Sequence, residues 1–389
     1  MIIAFDAKRA FFNTSGLGNY SRTLIKNICH FYPQNSYKLF SPVPNSNKKN
    51  CFPDLPQNAE LIFPQTFTGK LISPLWRSWK ITEEISRNKA IIYHGLSNEL
   101  PFNIKYSGAK SIVTIHDLIF LRYPKLYPAF DRTMYALKFK KACMDADSII
   151  AVSTQTKNDL TEFFNINPSK IYVVYQSCDP SYFSFEENKL TYQKIKIKYN
   201  LPENYLLYVG TIEERKNLLS LLKALNQLPG NFNLPIVVIG NKRKDYFKII
   251  TDFIASNKLQ NKVIFPQGVL NSELPFIYNN AQIFIYPSLF EGFGIPVLEA
   301  LLCKVPVITS NCSSLPEAAG PSSCLINPLA PEEIAQQIQA ILNDSDQRKI
   351  RVEQGLIYAQ NFSAKNTSTQ LMNMYGLITG YNSEITKSV

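Results

Sequence analysis

Gln282-Ile283-Phe284-Ile285-Tyr286, followed at once by Pro287-Ser288-Leu289-Phe290-Glu291-Gly292-Phe293-Gly294-Ile295-Pro296-Val297-Leu298-Glu299-Ala300, is the stretch on which the fold turns. Residues 282–286 are β-rich and stop at a proline, so they read as a strand, and residues 294–303 read as the helix that follows. Strand, short glycine-bearing turn and helix make one unit of a parallel sheet with covering helices. Gly292 and Gly294 let backbone N–H groups approach a ligand at a helix N-terminus, where anions are favoured. Glu291 and Glu299 can each accept two hydroxyl hydrogen bonds. The turn suits a polyol joined to phosphate, although the spacing alone equally admits two solvated glutamates.

Outward from this unit the pattern repeats in both directions. Residues 1–5, 37–41, 91–93, 111–115 and 148–152 read as strands in the first half, and 205–209, 235–239, 262–265 and 305–308 in the second. Helical windows such as 19–29, 217–226, 331–342 and 363–378 lie between or after them. Alternation of β and α over 389 residues predicts an α/β chain with two Rossmann-like parallel-sheet domains. The polar stretch 181–200 precedes the second series. The expected division is residues 1–180, residues 181–362, and a terminal helical segment, 363–389.

A second constellation lies in Tyr205-Leu206-Leu207-Tyr208-Val209-Gly210-Thr211-Ile212-Glu213-Glu214-Arg215-Lys216-Asn217-Leu218. An apolar strand ends in Gly210, and a basic pair opens the next helix. Cations there oppose the macrodipole, which an anion held between Arg215, Lys216 and the helix would explain. The alternative is an ordinary solvated pair; on the anion-holding reading, removing either charge is expected to lower turnover and leave stability nearly unchanged. Gly16-Leu17-Gly18 lies between the first strand and its helix, and its N–H groups could meet phosphate or acceptor. His116 and Asp117 end another β-rich run. The imidazole can bond a sugar hydroxyl through either nitrogen, and Asp117 can fix its tautomer. His94, at a further strand end, could face an acceptor.

Taken together, Gly210-Thr211 with Arg215-Lys216-Asn217, Glu291-Gly292-Phe293-Gly294 with Glu299-Ala300, and Asp6-Ala7-Lys8-Arg9 with Gly16-Leu17-Gly18-Asn19-Tyr20 resemble glycosyltransferase family 4. The resemblance spans nearly the whole chain. It implies a GT-B fold, two Rossmann-like domains facing across a cleft, and retaining transfer from a nucleotide diphosphate sugar. Residues 1–180 would bind the acceptor and 181–362 the donor, with 363–389 crossing back to the first domain. Where family members often carry an aromatic residue after Phe362-Ser363, this chain has Ala364.

Carried onto this sequence, the resemblance gives the diphosphate to Arg215, Lys216 and the N–H groups of Gly16, Gly18 and Gly210. Glu299 would hold the ribose, Glu291 with the Gly292, Phe293 and Gly294 backbone the sugar, and the turn ending at Val269 the base. His116 and Asp117 would lie near the donor sugar as catalytic residues. The cationic clamp is expected to stand in for a divalent metal, and neither metal nor cofactor is expected. The Asp-Ala-Lys-Arg start, the Gly-Leu-Gly-Asn-Tyr turn and the His-Asp-Leu pattern look most like the bacterial mannosyltransferase branch, which builds surface polysaccharide from GDP-mannose. UDP-glucose, UDP-N-acetylhexosamine and deoxy-sugar donors remain open, as does a nucleotide-sugar epimerase of GT-B-like fold.

Composition narrows the setting. A hydrophobic fraction of 45% with 18% charged residues is that of a globular chain, and no apolar run reaches the roughly 18 residues of a membrane span. Met1 to Phe5 is cut off by Asp6, Lys8 and Arg9, unlike a signal peptide, and seven cysteines without a Cys-x-x-Cys pair offer no disulfide framework. The cytoplasm is therefore expected. Of the net charge of +11, +9 falls in residues 1–180, where 22 Lys and Arg face 13 Asp and Glu. Such asymmetry calls for an anionic partner. No nucleic-acid-binding module is recognisable, so an anionic membrane surface is expected, with a lipid-linked glycan acceptor on the inner face. Pro74-Leu75-Trp76-Arg77-Ser78-Trp79-Lys80-Ile81, flanked by Lys70, Arg87 and Lys89, and the basic, tyrosine-bearing stretch 122–141 are the candidate contacts, although the first segment equally reads as an amphipathic helix that packs its tryptophans inward.

Overall fold

The computed structural model describes residues 1–42, 51–64, 76–230 and 232–381. Lys70, Pro74 and Leu75 of the candidate membrane segment lie outside them. The chain divides into two compact units, Met1–Ser177 with Phe362–Val389, and Cys178–Asn361.

The first unit holds a seven-stranded parallel sheet in the order β3-β2-β1-β4-β5-β6-β7. Its strands are β1 (Ile2–Asp6), β2 (Ser36–Phe40), β3 (Ala59–Ile62), β4 (Ile92–Gly95), β5 (Lys110–Ile115), β6 (Ser148–Ala151) and β7 (Ile171–Val173). β4 and β6 are buried at every position, as expected of strands covered on both faces. The terminal helix Ala364–Thr379 buries Leu371, Met372, Met374 and Tyr375 in the same core as Ile3, Phe5, Tyr37 and Leu39. In place of an aromatic at position 364, the Phe362 ring packs edge-on to Tyr175 at 5.4 Å, and Ser363 caps the helix.

The second unit holds six parallel strands, β10-β9-β8-β11-β12-β13. They are β8 (Leu206–Val209), β9 (Ile236–Ile239), β10 (Val263–Ile264), β11 (Ile283–Tyr286), β12 (Val307–Ser310) and β13 (Cys324–Ile326). The chain moves outward through β8, β9 and β10, then returns to the other side of β8 with β11. The strand order therefore reverses between β8 and β11, the position at which open α/β sheets bind ligands. The first sheet has its own reversal between β1 and β4.

Two surface expectations fail. Trp76 is 3% exposed and packs with Ala4, Phe40, Ile81 and Tyr93, while Arg77 bridges Asp6 and Glu99. Of the segment's described large apolar residues, Trp79 is the one that faces out. Among the described residues, no helix is long and apolar enough to cross a membrane.

Candidate active site

β8 delivers Gly210 to the carboxyl edge of the second sheet, and β11 delivers Pro287 beside it. Glu214–Lys216 forms a single 3-10 turn, and Asn217 follows at φ 57° before the helix Leu218–Gln227 begins. Asn tolerates this left-handed geometry, and its side-chain amide donates to the carbonyls of Pro287 and Pro328 at 3.0 and 2.7 Å. The Leu289 N–H bonds the Arg215 carbonyl at 2.8 Å. These bonds lock the β8 and β11 loops to each other, so Arg215, Lys216 and Glu291 converge.

Glu291 is 8% exposed. Its carboxylate meets Arg215 Nη1 at 3.0 Å and Lys216 Nζ at 2.6 Å, and it accepts from Ser288 Oγ at 2.6 Å and Tyr286 OH at 3.0 Å. Burial alone would raise its pKa, but Arg215 and Lys216 hold it down to about 2. Burial lowers the Lys216 ammonium, and the Arg215 charge adds to this while Glu291 opposes it. Arg215 also donates to the Phe290 carbonyl and to Glu213.

The alternative of a solvated Arg-Lys pair does not hold, because carboxylates already balance both cations. An ammonium has three donors and a guanidinium five. Lys216 bonds Glu291 and Tyr286, and Arg215 bonds Phe290, Glu213 and Glu291. An arriving anion must share these cations with Glu291.

Gly294, at φ 125°, is the cap before the helix Ile295–Leu302. A side chain there would be strained and would press within 3.1 Å of Ala318 and Leu315. The Phe293 ring is buried, so what residues 292–294 can offer a ligand is backbone. Ser314 Oγ donates to the Glu291 and Phe293 carbonyls at 2.9 and 2.8 Å, clipping the loop to the start of the helix Leu315–Ala319.

Glu299 lies one turn into its helix with a different set of partners. It accepts from Tyr278 OH at 3.0 Å and is partly buried. Burial raises its pKa to about 7, with the Asp179 charge adding and bonds from Tyr278 and Tyr182 opposing. The two glutamates therefore differ in charge near neutral pH. Val269 follows β10, two strands from β8 and so roughly 10 Å along the same edge; Gly268 before it has φ 68°.

In the first unit, Gly16 opens the helix Gly16–Phe31 with open space around its Cα, but Gly18 does not present a free N–H. That group bonds Ser15 O and Asn13 Oδ1, and a Cβ at Gly18 would lie 1.9 Å from the Asn13 carbonyl oxygen. Close packing of the loop, rather than an open phosphate nest, is why this glycine is there. His116 is buried and its pKa is pushed down to about 4 by desolvation. Nε2 lies 2.9 Å from the Leu96 carbonyl and Nδ1 3.3 Å from Gln176 Nε2. A carbonyl only accepts, so Leu96 fixes the Nε2–H tautomer, the role expected of Asp117. Asp117 Oδ1 instead accepts from the Ile119 N–H at 3.2 Å.

His94 is a core residue, not an acceptor contact. It is fully buried, with Nδ1 2.6 Å from Tyr375 OH and Nε2 2.7 Å from Thr114 Oγ1. Missed from sequence were Tyr286, Ser288 and Asn217 around the cations, and Gly240 after β9. Also missed was a charged cavity of about 270 Å³ beside the reversal of the first sheet, lined by Asp6, Lys8, Arg77, Glu99, Lys138 and Lys141 among others.

Two family models match the chain: Glycosyltransferase Family 4 over residues 50–182 and Glycosyl transferases group 1 over residues 192–356. O-antigen chain mannosyltransferase B of Escherichia coli is 28% identical over 394 residues, covering 97% of this chain and all of that protein. O-antigen chain mannosyltransferase RfbU of Salmonella typhimurium is 29% identical over 216 residues, 56% of each. The crystal structure of Anabaena HepE in complex with UDP and glucose matches with a TM-score of 0.76 at 16% identity, covering 97% of this chain and all of that one. The chain belongs to the glycosyltransferases of GT-B fold, pairing a Glycosyltransferase Family 4 region with a Glycosyl transferases group 1 region.

Proposed function

We propose that the protein is a retaining hexosyltransferase that moves mannose from GDP-mannose to a glycan acceptor, lipid-linked, in surface polysaccharide synthesis on the cytoplasmic side of the membrane. The observation that carries this reading is the convergence of Arg215, Lys216 and an ionised Glu291 at the strand-order reversal of the second sheet. The names of the Escherichia coli and Salmonella relatives support the sugar and the pathway.

Arg215 and Lys216 would share the donor diphosphate with Glu291 and offset charge gathering on the leaving group as the glycosidic bond breaks. Glu291 and the 292–294 backbone would orient the sugar, and Glu299, once ionised, would accept from ribose hydroxyls. Val269 would border the base. In the first unit, Nδ1 is the atom of His116 that can meet a hydroxyl, by displacing Gln176, and the cavity beside Asp6 and Lys8 would take the acceptor. No side chain serves as an evident covalent nucleophile, so the leaving phosphate is assigned as the base in a front-face transfer.

The test is a thermal-shift comparison of GDP, UDP and ADP, followed by turnover of a nucleotide-sugar panel. A ligand that binds the folded state alone raises its stability by an amount set by concentration over Kd. GDP should give the largest shift and GDP-mannose the fastest release of diphosphate. Preference for UDP and a UDP-sugar would overturn the donor, and epimer formation without an acceptor would overturn the transferase reading.

A further inference from the structure

The helix Ala129–Asp145 runs for 17 residues yet buries two, Ala142 and Cys143. Phe130, Met134, Leu137, Lys141 and Met144 recur at steps of four, three, four and three, which places them in one stripe along the helix. That stripe faces out: Phe130 is 75% exposed, Leu137 63% and Met144 61%. The opposite face meets the core through Phe139, whose ring lies 5.4 Å from Phe120. A helix covering a sheet ordinarily spends its apolar residues on the sheet; this one carries a second apolar face that no described residue covers.

The stripe does not stop at the helix. Lys141 Nζ lies 5.9 Å from the centre of the Phe102 ring, which packs on exposed Trp79 at 5.5 Å. Lys105 pairs with Asp145 at the helix end, 3.2 Å away, and beside it in sequence Tyr106 is 84% exposed. Lys138 and Lys140 sit on either flank of the stripe, with no ion pair among the described residues. The apolar strip is thus edged by cations. An apolar face edged by lysines complements a surface that is greasy within and negative at its rim, as an anionic bilayer is.

We infer that this face docks on an anionic lipid membrane, with Phe130, Leu137, Met144 and Trp79 entering the headgroup layer. Lys138 and Lys141 also line the charged cavity beside Asp6. Docking along the stripe would therefore bring the mouth of that cavity to the headgroups, where a lipid-linked acceptor is met. The purpose of docking rests on the acceptor proposed above, whereas the surface itself does not.

The experiment is co-sedimentation of the full chain with phosphatidylcholine vesicles containing zero or about 30 mol% phosphatidylglycerol, at low and high salt. The wild type should bind the anionic vesicles at low salt and release as salt rises. Phe130→Ser/Leu137→Ser should lower binding by about tenfold or more, and Lys140→Glu by about fivefold. The control Ile357→Ser, at an exposed site of the second unit, should bind as wild type. All should keep wild-type melting and vesicle-free donor hydrolysis, so loss of hydrolysis in every form would count against the enzymatic reading and not against the surface. No binding by wild type at low salt, or equal binding by folded Phe130→Ser/Leu137→Ser, overturns the inference. A wild-type dimer in sedimentation velocity that the double variant dissociates also overturns it, because a second copy would then be what covers the face.

Discussion

Lys216 Nζ and Glu291 Oε1 stand 2.6 Å apart although they are 75 positions apart in sequence, and the side chains of both are nearly buried. Removing either leaves its partner's charge without its closest counter-ion. Lys216→Met should therefore destabilise the protein by about 2 kcal/mol, less than a wholly orphaned buried charge because Arg215 remains. Turnover should fall by about 100-fold. A cycle with Glu291→Gln, read by urea denaturation, should give a coupling of about 1 to 3 kcal/mol. Additive single and double variants would show that the pair is not coupled.

Glu299 should confer opposite pH trends on binding and on stability. Its pKa of about 7 lies above the ordinary 4.5, so the folded chain holds the proton more tightly than the unfolded one. The stabilising contribution is complete below 4.5 and is lost as pH rises through about 7. Diphosphate affinity should rise over the same interval as the carboxylate ionises to accept ribose hydroxyls. Glu299→Gln should flatten both curves. Calorimetric titration with GDP and melting curves between about pH 5 and 8.5 are the measurements.

Gly240 and Gly268 both have positive φ, at 151° and 68°, yet they should respond differently to alanine. A Cβ on Gly240 would lie 2.0 Å from the Gly210 carbonyl oxygen, whereas the space at Gly268 is open. Gly268→Ala should cost about 1 kcal/mol of backbone strain. Gly240→Ala should cost about 3 kcal/mol or more and weaken nucleotide binding, because the Gly210 loop must shift. Equal unfolding midpoints for the two variants would contradict this.

His94→Leu should be among the most damaging substitutions in the first unit. It strands the buried Tyr375 hydroxyl, at about 1 to 3 kcal/mol for a group left unpaired, and leaves the Thr114 hydroxyl with Tyr20 as its partner. Burial lowers the His94 pKa to about 3, with the His116 charge adding. The histidine's contribution is therefore full above 6.5 and lost as pH falls toward about 3. Acid unfolding of wild type and variant, followed by circular dichroism, checks the sign.

The sequence made the two α/β sheets legible because strands such as β8, β9 and β11 are short apolar runs, each ending in Gly or Pro before a loop. β3, β7 and β13 escaped notice. They lie at sheet edges, where half-exposed positions blur the pattern. Arg215, Lys216 and Glu291 could be singled out as charged residues at strand ends, but their mutual neutralisation could not, since it depends on Asn217 and Leu289 fastening two loops that are remote in sequence. The same limit misread His94 and Trp76. Residue type marks both as functional, and only packing shows that one bridges two buried hydroxyls and the other fills a core.

The return of Ala364–Thr379 to the first unit also governs the order in which the protein can be made. During synthesis, the strands of the first sheet leave the ribosome long before Leu371, Met372, Met374 and Tyr375, which complete their core. The second unit, continuous from Cys178 to Asn361, can close while the first still waits with Ile3, Phe5 and His94 uncovered. Released chains truncated before residue 364 should therefore be protease-sensitive in their N-terminal part and protected in the middle, the reverse of the usual N-terminal-first order.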